Sequence, residues 1–129
     1  MSGYLLDTNF ALYGVSEPDR LSADIRRTVE SGPVYLSVIC FWEVVLKSMK
    51  GVLDVGDPRQ WWTEALDVFG ARALPVRPEH AAALYDLPPI HKDPFDRMLI
   101  AQAIAADLVL VTTDREIPKY AGGGLQVLS

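Results

Sequence analysis

His91-Lys92-Asp93-Pro94-Phe95-Asp96-Arg97 leads straight into Met98-Leu99-Ile100-Ala101-Gln102-Ala103-Ile104-Ala105-Ala106. Asp93 before Pro94 marks a helix start, because aspartate accepts a bond from a free first-turn N–H and proline is preset for the first helical position. The run behind it, to about Ala106, is too apolar for a solvated helix, so this helix is buried and carries two carboxylates at its head. A buried carboxylate is costly unless something positive meets it. After a short break, Leu108-Val109-Leu110-Val111 reads as a strand that ends before Thr112-Thr113-Asp114. A buried helix feeding a continuous apolar strand is the repeating unit of a parallel sheet covered on both faces.

The same alternation extends outward from this stretch. Tyr4-Leu5-Leu6 reads as a buried strand ending at Asp7, with Thr8 and Asn9 able to cap a short helix over about 10–13. Ser22 and Gly32 bracket a helix over about 23–31. Val34-Tyr35-Leu36-Ser37 is a β-rich second strand, followed by a helix over 38–50 with Gly51 past its end. Asp57-Pro58 opens a helix to about Phe69 that Gly70 stops. Ala71 to Val76 reads as a third strand and Pro78 to Leu84 as a helix, before Pro88-Pro89 breaks the chain. Leu125 to Leu128 is a weaker fifth strand after the glycine run 122–124. The expected fold class is α/β, with a mostly parallel sheet of four to five strands and helices on both faces.

Length and composition bound the function. At 129 residues, 50% hydrophobic and 22% charged, the chain is expected to form one globular domain over 1–129. No apolar run is long enough for a membrane span, and the N-terminus lacks a basic segment followed by a hydrophobic signal core. Cys40, the single cysteine, lies among apolar residues and reads as a small buried hydrophobe, so no internal disulfide forms. A cytoplasmic protein is expected. The net charge of -5 argues against nucleic acid at first sight. If four of the 17 acids converge on one site, however, the remaining surface is nearly neutral against 12 bases.

Those four acids are Asp7, Glu43, Asp96 and Asp114. Sites in open parallel sheets form outside the carboxyl ends of the strands. Asp7 directly follows strand one, and Asp114 follows strand four after two threonines. Asp96 in a first helical turn and Glu43 in the second turn after strand two belong near the same edge. Each also has a purely structural reading. Asp7 can cap a helix, Glu43 can pair with Lys47 four residues on, and Asp114 can close a turn. Asp93 is assigned to the cap; with Asp96 it resembles a capping box, but one cap does not need both acids. Four carboxylates at one edge ask for a shared cation.

Other chemistries lack their parts. His80 and His91 share no metal-ligand spacing with cysteine, so a zinc site lacks ligands. Ser37 and Ser48 have no histidine in triad context, and no glycine-rich phosphate loop is present. Trp61-Trp62 fits core or a dimer surface better than a base-stacking platform.

Leu5-Leu6-Asp7-Thr8-Asn9 resembles the opening motif of PIN-domain ribonucleases. Ser37 to Lys47, with Trp42-Glu43 and Lys47, is similar to the second motif of the VapC toxin branch; His91 to Ala103 resembles its third motif and Thr112-Thr113-Asp114 its fourth. Many relatives carry histidine where this chain has Asn9 and serine where it has Cys40; neither departure removes an acid. The resemblance implies a PIN-like three-layer sandwich and a Mg²⁺-dependent (or Mn²⁺-dependent) endoribonuclease of a type II toxin–antitoxin system, cleaving RNA with metal-activated water. It implies Asp7 and Asp96 as metal ligands, with Glu43 and Asp114 as direct or water-mediated ligands. A homodimer and a VapB-like antitoxin that blocks the site with a basic side chain follow as expected partners. The alternatives are a catalytically silent PIN-like binding module, which loss of an acid would favour, and a phosphatase of the haloacid dehalogenase type. The second needs an aspartate where this chain has Asn9.

Overall fold

The computed structural model describes residues 3–89, 92–120 and 123–129. His91, which opens the decisive stretch, and Gly122 of the glycine run lie outside the described residues. The strands are β1 (Tyr4–Leu6), β2 (Val34–Ser37), β3 (Arg72–Leu74), β4 (Val109–Val111) and β5 (Gln126–Leu128). The helices are α1 (Thr8–Ser16), α2 (Ala23–Glu30), α3 (Val38–Met49), α4 (Pro58–Phe69), α5 (Pro78–Tyr85) and α6 (Pro94–Ala105). Two 3₁₀ turns, Pro18–Arg20 and Ile117–Tyr120, had no distinct sequence expectation.

The sheet runs β3-β2-β1-β4-β5 with every neighbouring pair parallel. In β1, Tyr4, Leu5 and Leu6 are all buried. Side chains alternate across a strand, so burial of consecutive residues means that layers cover both faces. Leu5, Leu6, Leu36, Leu99, Ile100, Leu110 and Val111 are fully buried at the centre of this sandwich. The order reverses at β1: β2 and β3 lie on one side, β4 and β5 on the other. Such a reversal opens a crevice at the carboxyl ends of the two central strands, and Asp7 stands at that point. Its backbone N–H bonds the Val111 carbonyl at 2.9 Å, carrying the β1–β4 ladder up to the acid.

Helix boundaries follow the capping chemistry. Ser22 caps α2, Asp57 caps α4 by accepting from Arg59, and Gly70 ends α4 with a left-handed φ of 58°. Asp93 accepts from the backbone N–H groups of Phe95 and Asp96 at 2.9 and 3.1 Å, which confirms it as the cap of α6. The start of α1 differs from the expectation. Asp7, not Thr8 or Asn9, is the cap, and the helix begins at Thr8 and runs to Ser16. The strand delivers Asp7 with its carboxylate already over the Phe10 N–H, at 2.8 Å. Thr8 is thereby free to turn inward.

Candidate active site

Asp7 is only 3% exposed. Oδ1 accepts the Phe10 backbone N–H, while Oδ2 accepts the Thr112 hydroxyl. Burial pushes its carboxyl up from 3.8 to about 6; hydrogen bonds from Thr112, Phe10 and Thr113 oppose the rise, and the nearby charge of Asp114 adds to it. Thr112 is itself buried and ties two acids together. Its hydroxyl donates to Asp7 and accepts the Asp114 backbone N–H at 2.9 Å. The Asp114 carboxylate accepts the Glu116 N–H at 2.8 Å, so the turn-closing role considered for it is real.

Glu43, 5% exposed, projects from the second turn of α3. Its Oε1 accepts the Thr8 hydroxyl and its Oε2 the Lys47 ammonium, both at 2.6 Å. The helical pair with Lys47 therefore exists, yet its carboxylate half is buried and fixed to the start of α1. Asp96 sits half-buried in the first turn of α6, which packs on α3. Its charge reaches both Cys40 and Lys47. Cys40 is fully buried, with Sγ 3.7 Å from the Leu6 carbonyl. Burial pushes its thiol far up, and the charges of Asp7, Glu43 and Asp96 push in the same direction. It is an inert thiol beneath the acids.

The structure thus bridges Asp7 and Asp114 through Thr112. Glu43 lies on α3 and Asp96 on α6, helices that pack together, and the charges of both reach Cys40; Thr8, next to Asp7 in the chain, holds Glu43. Thr8 and Thr112 were missed as site residues; the signal was a threonine one or two positions past an apolar strand, where burial forces a hydroxyl to find a partner. Among the described residues, no three His, Cys, Asp or Glu side chains close on one point as a ready-made metal cage. By donor chemistry the residues nevertheless fit a hard divalent cation. All four donors are carboxylate oxygens, and the burial that raises Asp7 makes a neutralising charge favourable there.

His80 is buried in the first turn of α5. Its Nδ1 accepts the Arg77 N–H at 3.0 Å and lies 3.3 Å from Gln102 Nε2. It joins α5 to α6. Trp61 is core, and Trp62 stacks on Phe41 at 4.9 Å. Among the described residues no helix is long and apolar enough to cross a membrane.

A family profile described as PIN domain matches residues 4–123. Ribonuclease VapC22 of Mycobacterium tuberculosis is 29% identical over 122 residues, 93% of each chain. The DNA-bound VapBC structure from Salmonella typhimurium superposes with a TM-score of 0.71 at 19% identity, covering 99% of this chain and 98% of that one. VapBC2 from Rickettsia felis, bound to a promoter DNA fragment, gives 0.70 at 17% identity, covering 97% and 96%.

Proposed function

The chain belongs to the PIN-domain family, and from that membership we propose that it is a metal-dependent endoribonuclease of the VapC type, the toxin of a type II toxin–antitoxin pair. The observation that carries this reading is the buried Asp7 carboxylate, bridged through Thr112 to Asp114 at the mouth of the β1–β4 crevice. Asp7 caps α1 and Asp114 closes a turn, but a cap or a turn does not require a carboxylate buried beside a second acid, and desolvation makes the ionised form of Asp7 costly. The name of the VapC22 relative and the in-order match of all four motifs support the same activity.

Asp7 and Asp96 would hold the cation, Mg²⁺ or Mn²⁺, with Asp114 and Glu43 joining directly or through water. When bound, such an ion neutralises the acids, stabilises charge on phosphate oxygens and lowers the pKa of water for attack on phosphorus. The chain's own residues orient and exclude. Thr112 and the α1 N-terminus fix the Asp7 carboxylate, Thr8 fixes Glu43, and the Asp93 cap holds the first turn of α6 so that Asp96 is presented at the edge.

Two partners belong to the proposal. One is an antitoxin that offers a basic side chain to the acids. The other is a second copy of this chain. Trp42 and Met49 are 55% and 77% exposed, and with Val45 and Leu46 they recur at helical spacing along α3. An apolar stripe of this kind is a surface for association.

Incubating purified protein with single-stranded RNA in Mg²⁺ and in excess chelator tests the activity. Cleavage that requires the divalent ion and disappears in Asp96→Asn is expected. Cleavage that survives both treatments overturns the metal-dependent reading; no cleavage by the metal-loaded wild type leaves a binding module instead.

A further inference from the structure

Glu43, like Asp7, has both carboxylate oxygens engaged by the protein, but one of its partners is a cation. Both of its oxygens are engaged by protein donors, the Thr8 hydroxyl and the Lys47 ammonium, each at 2.6 Å. The two halves of the ion pair differ sharply. The Glu43 side chain is 7% exposed, whereas that of Lys47 is 44% exposed. A solvated lysine swings on a four-carbon stem. Here the ammonium is fixed by a carboxylate that is itself held from two helices, α3 and the start of α1. Lys47 also feels the charges of Asp93 and Asp96 across the α3–α6 contact. An anchored, solvent-reaching cation thus stands beside an acidic edge, which by itself repels a polyanion.

Resting on the ribonuclease reading above, we propose that Lys47 contacts a backbone phosphate of the single-stranded RNA substrate, and that Glu43 is a positioning residue that aims this ammonium rather than a direct ligand of the catalytic cation. A lysine serves a phosphate as a point charge and does not need the fork of an arginine. Glu43 pre-organises it, since the stem has already lost its freedom before RNA arrives. The arrangement also explains why a buried glutamate spends both oxygens on the protein.

The test measures RNA binding over a range of salt concentrations, with every form carrying Asp96→Asn so that the substrate survives. Lys47→Met keeps the stem and removes the charge. It is expected to weaken binding about five- to tenfold and to reduce the slope of log affinity against log salt by about 0.7, the loss of one phosphate contact on a single strand. Lys47→Arg should keep the slope. Glu43→Gln retains an acceptor for Thr8 but releases the ammonium. It should weaken RNA binding no further than Lys47→Met, and the double variant should match Lys47→Met alone. In the background with Asp96 intact, Glu43→Gln should lower Mn²⁺ affinity far less than Asp7→Asn does, because a residue that reaches the ion only through water is not a direct ligand.

Two results overturn the inference while leaving the ribonuclease reading intact. One is an unchanged affinity and salt slope in Lys47→Met. The other is a loss of Mn²⁺ binding in Glu43→Gln as large as in Asp7→Asn. Failure of the Asp96→Asn reference itself to bind RNA overturns the phosphate contact, and cleavage of RNA by the wild type in Mg²⁺ then shows separately whether the ribonuclease reading stands.

Discussion

Asp7 does three things at one carboxyl: it ends a strand, caps a helix and faces a second acid. The conflict among these roles predicts a pH dependence. Its folded value is raised from 3.8 to about 6, so the folded state binds this proton more tightly than the unfolded one. The stabilisation from Asp7 is complete below pH 3.8 and is lost as pH rises through about 6. The loss amounts to about 3 kcal/mol in the metal-free protein. Asp7→Asn, which keeps an oxygen for the Phe10 N–H, should raise the melting temperature in chelator at pH 7 by several degrees and abolish metal-dependent cleavage. Melting curves of wild type and variant between pH 4 and 7 check this; parallel curves would show that Asp7 carries no such burden. Asp93 and Asp96 divide differently. Asp93→Ser keeps a capping oxygen and should preserve stability and most cleavage. Asp96→Ser should stay folded and lose cleavage, because a hydroxyl does not replace an anionic ligand. Equal loss of cleavage in both folded variants would move Asp93 into the catalytic set.

At the scale of elements, the site depends on how α6 is held. Gln102 lies one face away from the acids and is fully buried. Its Nε2 reaches the Pro75 carbonyl and His80 Nδ1, both at 3.3 Å. His80 Nδ1 also accepts the Arg77 N–H that opens α5. The ring is therefore neutral, with Nδ1 as acceptor, and burial lowers its pKa from 6.5. A depressed histidine acts with the opposite sign to Asp7. Its stabilisation is present above the unfolded value of 6.5 and is lost as pH falls below it. His80→Ala should cost about 1–3 kcal/mol at pH 7, through the lost cap bond and the cavity. It should also remove part of the acid-side destabilisation seen by thermal melts. A variant that melts like wild type at pH 7 would show that the α5–α6 junction needs only apolar packing. Because the hydrogen bonds His80 makes, with Arg77 and Gln102, involve none of the four acids, residual folded protein should retain cleavage.

Across the whole molecule, the reversal of strand order at β1 sets the ends of β1 and β4, with Asp7 and Asp114, side by side at one edge of the sheet. The buried layers keep that edge rigid. Leu110 is fully buried between β1 and β5, and Leu110→Ala should cost about 2–5 kcal/mol. A thermal or urea midpoint measures it, and a cost under 1 kcal/mol would mean that the sheet relaxes around the cavity. The exposed α3 stripe makes a separate prediction about assembly. Met49→Glu should leave the melting temperature of the monomer nearly unchanged, since Met49 is 77% exposed, and should convert a dimer to monomer in light scattering. A dimer that persists unchanged would place the contact on another face.

The order of elements, the caps at Ser22, Asp57 and Asp93, the stop at Gly70 and the parallel α/β class were all legible in the sequence. They rest on local physics: which N–H a short side chain can reach, where proline fits, and how apolar residues repeat. Asp7, Glu43, Asp96 and Asp114 were legible as candidates, because a carboxylate next to an apolar strand or inside an apolar helix violates the usual partition of charge. Their partners were not. That Asp7 rather than Thr8 caps α1 depends on the direction in which β1 delivers the chain. That Thr112 bridges Asp7 to Asp114, and Thr8 reaches Glu43, depends on pairings 105 and 35 residues apart. A hydroxyl's choice of acceptor is made only after the sheet has closed, when desolvation forces each buried donor to take whichever partner the packing has brought within reach.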